Sequence, residues 1–458
     1  MTGARDVLRA DILVIGSGLA GLRAALAARA ADPDLGVLVA SPLSGPSGSS
    51  FANRNDCLGM QVPDPDDADF DAEVLRLSAP GFADPALVRL LRLEARARLD
   101  DLLGLGLDFR RASDGSLERL PGCFSTAPRA VVFSGLSRAH ALFRGAAEAA
   151  GVRFLDGLAA RELVSAEGRA AGARFLDRDG AERVVAARAV VLAAGGPAPL
   201  FPHAMCGPGN DGLSHGLLDR AGARVANAGF VQFFWNDAAT GRFVQPGSAL
   251  RPGSVLHGPR GGLSLEPGHP ALAHAGERAR HCPAGYGLPD AALDELLLDH
   301  ADAEGLVRLT TAEGLELRLV FCAHAGNGGA VVDADGMTTV PGLFACGECA
   351  TGMHGANRLG GGMVLATQVF GERAGRAAAR LASGRSDPPV SAFGGLPPLS
   401  PPETPAQAER VRRGMRRHCL FGPRPGLAGF VRELEDMARA SALAGSALVL
   451  ALALLARA

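Results

Sequence analysis

The 458-residue sequence contains no lysine, so all 46 of its basic residues are arginines. A pyridoxal Schiff base, a P-loop lysine and a lysine general base each require an amine, and the sequence therefore excludes all three. The formal net charge of -2 provides no basic surface for a polyanion. Nucleic acid is consequently not expected as a partner.

The cysteines also lack a diagnostic arrangement. Eight are present, but they have neither the paired spacing of a zinc ribbon nor the runs that ligate iron–sulfur clusters. We therefore predict no metal site and a reducing compartment. The first ten residues contain no apolar segment of the kind found in a signal peptide, so the cytoplasm is the expected location.

Only one long apolar run is present, at residues 440–456 between Arg439 and Arg457. It is near the lower limit for spanning a bilayer, and more than half of its residues are Ala, Gly or Ser. We predict a buried helix of a C-terminal bundle in preference to a membrane anchor, and membrane association is not expected.

With 47% hydrophobic and 21% charged residues, the chain is long enough for two or three packed units. Near its start, an apolar strand at 11–15 leads into GSGLAG at 16–21, a helix at 22–31 and a second strand at 35–40. This βαβ unit is typical of dinucleotide binding: Gly16 makes the turn, Gly18 lets a pyrophosphate approach the backbone, and Gly21 lets helix and strand pack.

The second strand ends differently from that of most NAD-binding proteins, which have a carboxylate there. Here Ala40 and Ser41 occupy the position, and Ser41 would have to bond the ribose through its hydroxyl. The change argues against NAD and favours a cofactor that is held at many further points.

Such points occur later in the chain. GLFACGE at 342–348 and TGMHGANRLGG at 351–361 closely resemble the C-terminal FAD signature of the succinate dehydrogenase, fumarate reductase and L-aspartate oxidase flavoproteins. Further landmarks follow the same order: AAGG at 193–196, NDG at 210–212, FVQF at 230–233, and His324 before Gly328 and Gly329. The resemblance covers residues from about 10 to 385, and Ser41 with GSS at 48–50 looks most like L-aspartate oxidase.

This resemblance implies an α/β fold: a Rossmann-like FAD-binding domain with an inserted small capping domain and a C-terminal helical tail. The expected divisions are 1–236 and 321–387 for the two parts of the FAD-binding domain, 237–320 for a shortened capping domain, and 388–458 for a linker and helical tail.

FAD is the expected cofactor. Glu348 would accept hydroxyls of the ribityl or ribose part, and the helix after Gly360 and Gly361 would stabilise negative charge on the flavin ring. The expected cofactor-binding residues are Gly16, Gly18, Gly21, Ser41, Ser49, Ser50, Ala194, Gly195, Asp211, Glu348, Gly360 and Gly361. Dehydrogenases of this family attach FAD through a histidine in the segment that matches 48–59, whereas the first histidine here is His140, so we expect non-covalent binding.

The resemblance further implies hydride transfer between a small carboxylate and flavin N5. His324 and Arg358 match two of the four residues, two histidines and two arginines, with which the family holds a C4 dicarboxylate. The family's FVQFHPT is FVQFFWN here, at 230–236, so Phe234 replaces the second histidine. Phe234 and Trp235 would make the pocket more apolar, which favours a monocarboxylate or a larger acid as substrate.

The usual proton donor is also missing. The family's capping domain carries it as the arginine of an Ala-Pro-Arg-Asp motif, which is best matched by GLPD at 287–290. The sequence does not choose among the possible substitutes Arg251, Arg260, Arg278 and Arg280, and the catalytic residue stays unassigned.

Two other functions remain open. The chain could be a flavin-binding subunit that has lost the reaction and serves a partner protein in electron transfer or assembly, as the missing proton donor suggests. It could also be a flavin-linked thiol oxidoreductase that uses Cys346 and Cys349, although we favour two buried free cysteines at these positions.

Overall fold

The computed structural model describes residues 7–259 and 261–457. Its strands, in chain order, are β1 (Val7–Ile15), β2 (Val37–Ser41), β3 (Cys57–Gln61), β4 (Asp108–Phe109), β5 (Ala130–Ser134), β6 (Arg153–Asp156), β7 (Ala159–Ala166), β8 (Arg169–Leu176), β9 (Glu182–Leu192), β10 (Val225–Ala226), β11 (Val231–Asp237), β12 (Val255–Gly258), β13 (Gly261–Ser264), β14 (Leu306–Thr310), β15 (Glu316–Gly326), β16 (Gly329–Val331), β17 (Leu343–Ala345) and β18 (Ala350–Thr351).

The α-helices, in chain order, are α1 (Leu19–Ala31), α2 (Gly48–Phe51), α3 (Ala68–Ser78), α4 (Pro85–Gly104), α5 (Leu136–Ala149), α6 (Ser214–Arg220), α7 (Pro246–Ala249), α8 (Ala275–Arg278), α9 (Ala291–Asp299), α10 (Gly362–Ser383), α11 (Pro405–Cys419), α12 (Leu427–Ala438) and α13 (Ala442–Leu455). Short 3-10 helices occur at Ala198–Leu200, Pro270–His274, Gly347–Cys349 and Val390–Phe393.

A sheet in the order β6-β2-β1-β9-β8-β7 forms the centre of the molecule, and β17 also pairs with β9. Strands β6, β2, β1, β9 and β17 are parallel, whereas β7 and β8 pair antiparallel. Their apolar residues are buried because helices cover the sheet. This arrangement confirms the predicted α/β, Rossmann-like class and places the carboxyl ends of β1, β2 and β9 at one edge.

Glycines allow helix α1 to pack closely against the preceding turn and against helix α10. A Cβ at Gly21 in α1 would lie 1.9 Å from the Gly16 carbonyl oxygen, and one at Gly375 in α10 would lie 2.2 Å from the Ala24 carbonyl oxygen. Any larger residue at either position would force the backbones apart. Glycine is therefore required for the packing of α1 onto its neighbours.

A second sheet, in the order β11-β15-β14-β12-β13, lies in the inserted region and is antiparallel throughout. Helix α9 also lies in the inserted region. The expected limits of the capping domain at 237 and 320 both fall within strands of this sheet, because β11 and β15 extend beyond them. The division into domains remains a proposal.

Helices α11 to α13 form the C-terminal tail. Helix α13 packs against α12 and α6 and buries Leu443, Ala447, Leu450 and Leu454. The apolar run at 440–456 is therefore the buried helix that the sequence predicted. Within the described residues, no helix combines the length and the apolar character needed to cross a bilayer.

Candidate active site

One cavity extends from the carboxyl ends of β1, β2 and β9 to the inserted region. It brings together the expected cofactor-binding residues, apart from Gly21, and the three expected substrate-binding residues. The nominated lining residues are Gly16, Gly18, Ser41, Ser49, Ser50, Ala194, Gly195, Asp211, Phe234, His324, Glu348, Arg358, Gly360 and Gly361. Gly21 lies behind this lining, where its place is explained by packing.

Two helix N-termini face this cavity. Helix α1 begins after Gly18 and α10 begins after Gly361, which has a φ of 82°. Both N-cap residues are glycines, so neither helix is capped by its own N-cap side chain. The positive ends of both helix dipoles are therefore directed at the same space, one for a pyrophosphate and one for an electron-rich ring. The arrangement of the two helix N-termini therefore fits FAD.

Hydroxyl groups occupy the end of β2 and the loop that follows it. Ser41 is buried, and its Oγ accepts a hydrogen bond of 2.8 Å from Ser17 Oγ. Ser50 Oγ accepts a hydrogen bond of 3.3 Å from the Leu19 N–H at the start of α1. The hydroxyl of Ser41 thus lines the cavity, and its contact with a ribose stays a prediction.

Glu348 provides a buried carboxyl group in the 3-10 helix Gly347–Cys349. Burial raises the pKa of Glu348 to about 7, against the opposing charge of Arg358. Its Oε2 accepts a hydrogen bond of 3.4 Å from the Gly326 N–H. A carboxyl group that is partly protonated at neutral pH can both donate to and accept from sugar hydroxyls.

Arg358 is a second charged group in the cavity. Its Nε donates to Asn327 Oδ1 at 3.1 Å and its Nη2 donates to Gln232 Oε1 at 2.5 Å. Both partners are neutral amides, and no ion pair to Arg358 occurs within the described residues. Burial lowers the pKa of Arg358 to about 10, which leaves the side chain charged at neutral pH. The guanidinium is therefore prepared for an anion.

His324 lies beside this charge. Burial, with a further contribution from Arg358, lowers the pKa of His324 to about 3, so the ring is neutral at physiological pH. It stacks on Phe234 with ring centroids 4.5 Å apart. Phe234 in turn meets the edge of Phe243 at 5.8 Å. A neutral hydrogen-bonding ring and an aromatic face thus flank Arg358.

The expectation that Trp235 also lines the pocket is wrong. Successive side chains of a strand point to opposite faces, and within β11 Trp235 points away from the cavity. It is fully buried, and its Nε1 donates to Asp294 Oδ1 at 2.8 Å. Only Phe234 contributes apolar surface from this pair.

The structure does not bring Arg251, Arg278 or Arg280, the described candidates for the proton donor, into the cavity. Arg278 is fully buried in an ion pair with Asp294, at 2.9 Å from Nε to Oδ2. Arg251 and Arg280 are exposed, and Arg260 lies outside the described residues. Among the arginines described between 237 and 320, none lines the cavity, so the catalytic residue stays unassigned.

The cysteines divide into two groups. Cys346 and Cys349 are free and fully buried, as expected, and their thiols are directed at the carbonyls of Ala20 and Gly195. Sequence reasoning missed a second pair, Cys123 and Cys282, which meet at the cavity wall although 159 positions separate them. No spacing signal could have revealed a contact over that distance.

The sequence is similar to those of known proteins. Residues 11–248 and 295–364 match the family model described as FAD binding domain. L-aspartate oxidase of Caulobacter vibrioides is 33% identical over 448 residues, covering 93% of this chain and 86% of that protein. The matching chain of the fumarate reductase (CoM/CoB) from Methanothermobacter marburgensis is 29% identical, covering 83% and 74% respectively.

Solved structures agree on the fold. A chain of the Mycobacterium smegmatis Sdh1 complex in the apo form superimposes with a TM-score of 0.73 at 22% identity, covering 98% of this chain and 86% of that one. The protein therefore shares its fold with that chain over nearly its whole length.

Proposed function

The chain belongs to the FAD binding domain family, as an FAD-dependent oxidoreductase of the L-aspartate oxidase and fumarate reductase type, and we propose that its substrate is a small carboxylic acid held by Arg358 and His324. The observation that carries the proposal is the buried guanidinium of Arg358, whose described partners are two neutral amides. A buried charge without a counterion is costly, and a bound carboxylate would offset that cost.

The site residues would divide the work between them. The N-termini of α1 and α10, with Ser41 and Glu348, would hold non-covalent FAD, which supplies the capacity to accept or donate a hydride at N5. Arg358 would bind one substrate carboxylate through charge-assisted hydrogen bonds. Neutral His324 would donate a further hydrogen bond, and its stacking on Phe234 would fix the plane of the ring. Together these contacts would orient the substrate carbon toward the flavin.

Phe234 sets the expected specificity. It presents an aromatic face next to the carboxylate site, and a second carboxylate placed against that face would lose hydration without gaining a partner. We therefore propose a monocarboxylate or a larger acid with an apolar part as the substrate, in preference to succinate, fumarate or L-aspartate.

The test compares wild type with Arg358→Leu, using small carboxylates to perturb the flavin absorption spectrum. Loss of a charged, two-point contact should weaken acid binding by about 2–5 kcal/mol, while flavin content and fold remain. Arg251→Leu is the matched control, because Arg251 is exposed and pairs with Glu313, and it should retain the perturbation. A wild type that no carboxylate perturbs, or an Arg358→Leu protein that loses FAD, would contradict the assignment.

Anaerobic bleaching separates the remaining functions. Reduction of the flavin by an acid supports the proposal. Inertness toward all acids, together with intact FAD, would favour a subunit that has lost the reaction and serves an electron-transfer partner. The absence of a described capping-domain arginine from the cavity is the observation that keeps this second candidate open.

A further inference from the structure

We propose that Cys123 and Cys282 form a redox-active dithiol at the substrate end of the cavity, which a small-molecule disulfide converts reversibly to a Cys123–Cys282 disulfide. The modification site would join the inserted region, through Cys282, to the FAD-binding part of the chain, through Cys123. Thiol chemistry at this position is separate from hydride transfer to the flavin, and its detection does not depend on which acid is the substrate.

Direct contact between the two residues is the first support. The Cys282 N–H donates to Cys123 Sγ at 3.4 Å, and each thiol lies close enough to shift the pKa of the other. Both cysteines are half-buried and both line the cavity. They are therefore close enough to react with each other and open enough to meet a small reagent.

The backbone around each cysteine is held in place. The Gly360 N–H donates to the Cys123 carbonyl at 2.9 Å, and Arg278 Nη2 donates to the Cys282 carbonyl at 3.3 Å. His281 stacks on Phe124 with ring centroids 4.1 Å apart. The residues next to the two cysteines thus pack on each other, and this fixed approach favours closure of a disulfide over capture of a second reagent molecule.

The charges around the pair assign different roles to the two sulfurs. The hydrogen bond from the Cys282 thiol lowers the pKa of Cys123, and the nearby His281 contributes in the same direction. The same hydrogen bond, together with burial, raises the pKa of Cys282. The thiolate is the reactive form, and the backbone N–H of Cys282 is directed at Cys123 Sγ, where it stabilises negative charge. Cys123 is therefore the attacking sulfur and Cys282 is the resolving one.

The chemistry balances with a disulfide RSSR as the oxidant. The Cys123 thiolate attacks one sulfur of RSSR, which breaks the S–S bond and releases RS⁻. Cys282 then loses its proton and attacks Cys123 Sγ in the mixed disulfide, which releases a second RS⁻. The two protein thiols are oxidised to one disulfide, and RSSR is reduced to two RSH.

Oxidation would also affect the site next to it. Cys123 contacts Gly360, and its charge acts on Arg358. A disulfide removes that charge and ties the inserted region down over the cavity, so we expect slower entry of carboxylates. This consequence rests on the proposed function, whereas formation of the disulfide does not.

The experiment treats the FAD-loaded protein with glutathione disulfide, blocks the remaining thiols with N-ethylmaleimide, and identifies linked peptides by mass spectrometry. In wild type we expect a peptide pair joined through Cys123 and Cys282. Cys282→Ser should retain glutathione on Cys123, because the resolving thiol is gone. Cys123→Ser should lose the rapid reaction. Cys206→Ser is the matched control and should behave as wild type, since Cys206 is also half-buried but burial raises its pKa to about 11.

A rate measurement supports the peptide map without any variant. In the reduced wild-type protein at neutral pH, maleimide should alkylate Cys123 roughly tenfold or more faster than Cys206. An unmodified Cys123, or a disulfide between other cysteines such as Cys346 and Cys349, would overturn the proposal. Carboxylate binding by the reduced protein is measured separately, so a failure of the proposed function would be recognised as such.

Discussion

Two buried arginines differ in their partners, and the difference distinguishes a structural ion pair from a candidate binding site. Arg278 is fully buried and pairs with Asp294 through both Nε and Nη2, at 2.9 and 3.0 Å. Arg358 is almost as buried, but its described hydrogen bonds go to the amides of Gln232 and Asn327. The first charge is neutralised by the chain itself, whereas the second faces the cavity.

The difference explains why only one of them is a candidate for substrate binding. Arg278 has its carboxylate already, and Asp294 also accepts from Trp235, so this cluster holds the inserted region together. Arg358 carries a buried positive charge that a ligand carboxylate would complete. The presence of an arginine in the capping domain therefore does not by itself identify the catalytic group. The partner of that arginine must also be known.

The largest expected effect is on stability, from Arg278→Met. The substitution leaves Asp294 buried without its counterion, and burial already raises the pKa of that carboxyl group. We expect the free energy of unfolding to fall by about 3–5 kcal/mol in urea denaturation. Arg251→Met, which breaks an exposed pair with Glu313, should cost less than about 1 kcal/mol. Equal losses in both variants would mean that the buried pair has no special structural role.

A smaller effect is expected when Arg358 is given a carboxylate partner within the chain, as Arg278 already has. Gln232→Glu keeps the side-chain shape and places a carboxylate next to Arg358 Nη2. Acid binding should weaken roughly 10- to 100-fold, which corresponds to about 1.4–2.8 kcal/mol, because the internal carboxylate competes with the ligand. The measurement is the dissociation constant from flavin absorption.

Gln245→Glu is the matched control for this substitution. Gln245 Oε1 accepts from Arg278 Nη1 at 3.2 Å, so the same change of amide to carboxylate occurs beside the other arginine. Acid binding should be unchanged. If Gln232→Glu binds acids as tightly as wild type, the anion site does not involve Arg358.

Local sequence patterns predicted the parts of the fold that local physics determines. The glycine spacing at 16–21 indicated the turn between β1 and α1, and the apolar run at 440–456 indicated the buried helix α13. The alternation of β11 could also have been used: Gln232 and Phe234 line the cavity, whereas Phe233 and Trp235 are buried on the other face. The expectation for Trp235 failed because this alternation was not applied to it.

Long-range partners could not be predicted in the same way. The pairing of Arg278 with Asp294 depends on how α8 and α9 pack, and the contact of Cys123 with Cys282 depends on how the inserted region closes over the cavity. Neither follows from periodicity or spacing. The sequence therefore identified candidate residues around the cavity. Whether each charged side chain has an oppositely charged partner could be determined only from the three-dimensional structure.

The smallest expected effect concerns His324, whose ring is kept neutral by burial and by the charge of Arg358. The pKa of His324 is about 3 in the folded protein, against an ordinary value of 6.5, because burial and the Arg358 charge disfavour the protonated ring. The unfolded chain takes up a proton as pH falls below about 6.5 and the folded chain does not, so this histidine's contribution to stability is present above pH 6.5 and is lost as pH falls toward 3. His324→Gln should reduce the loss of unfolding free energy between pH 7 and pH 5.5 by about 1 kcal/mol, as measured by urea denaturation at each pH. His257→Gln, at an exposed position, serves as the control and should follow wild type. An unchanged acid loss in His324→Gln would mean that the fold does not lower the pKa of this ring.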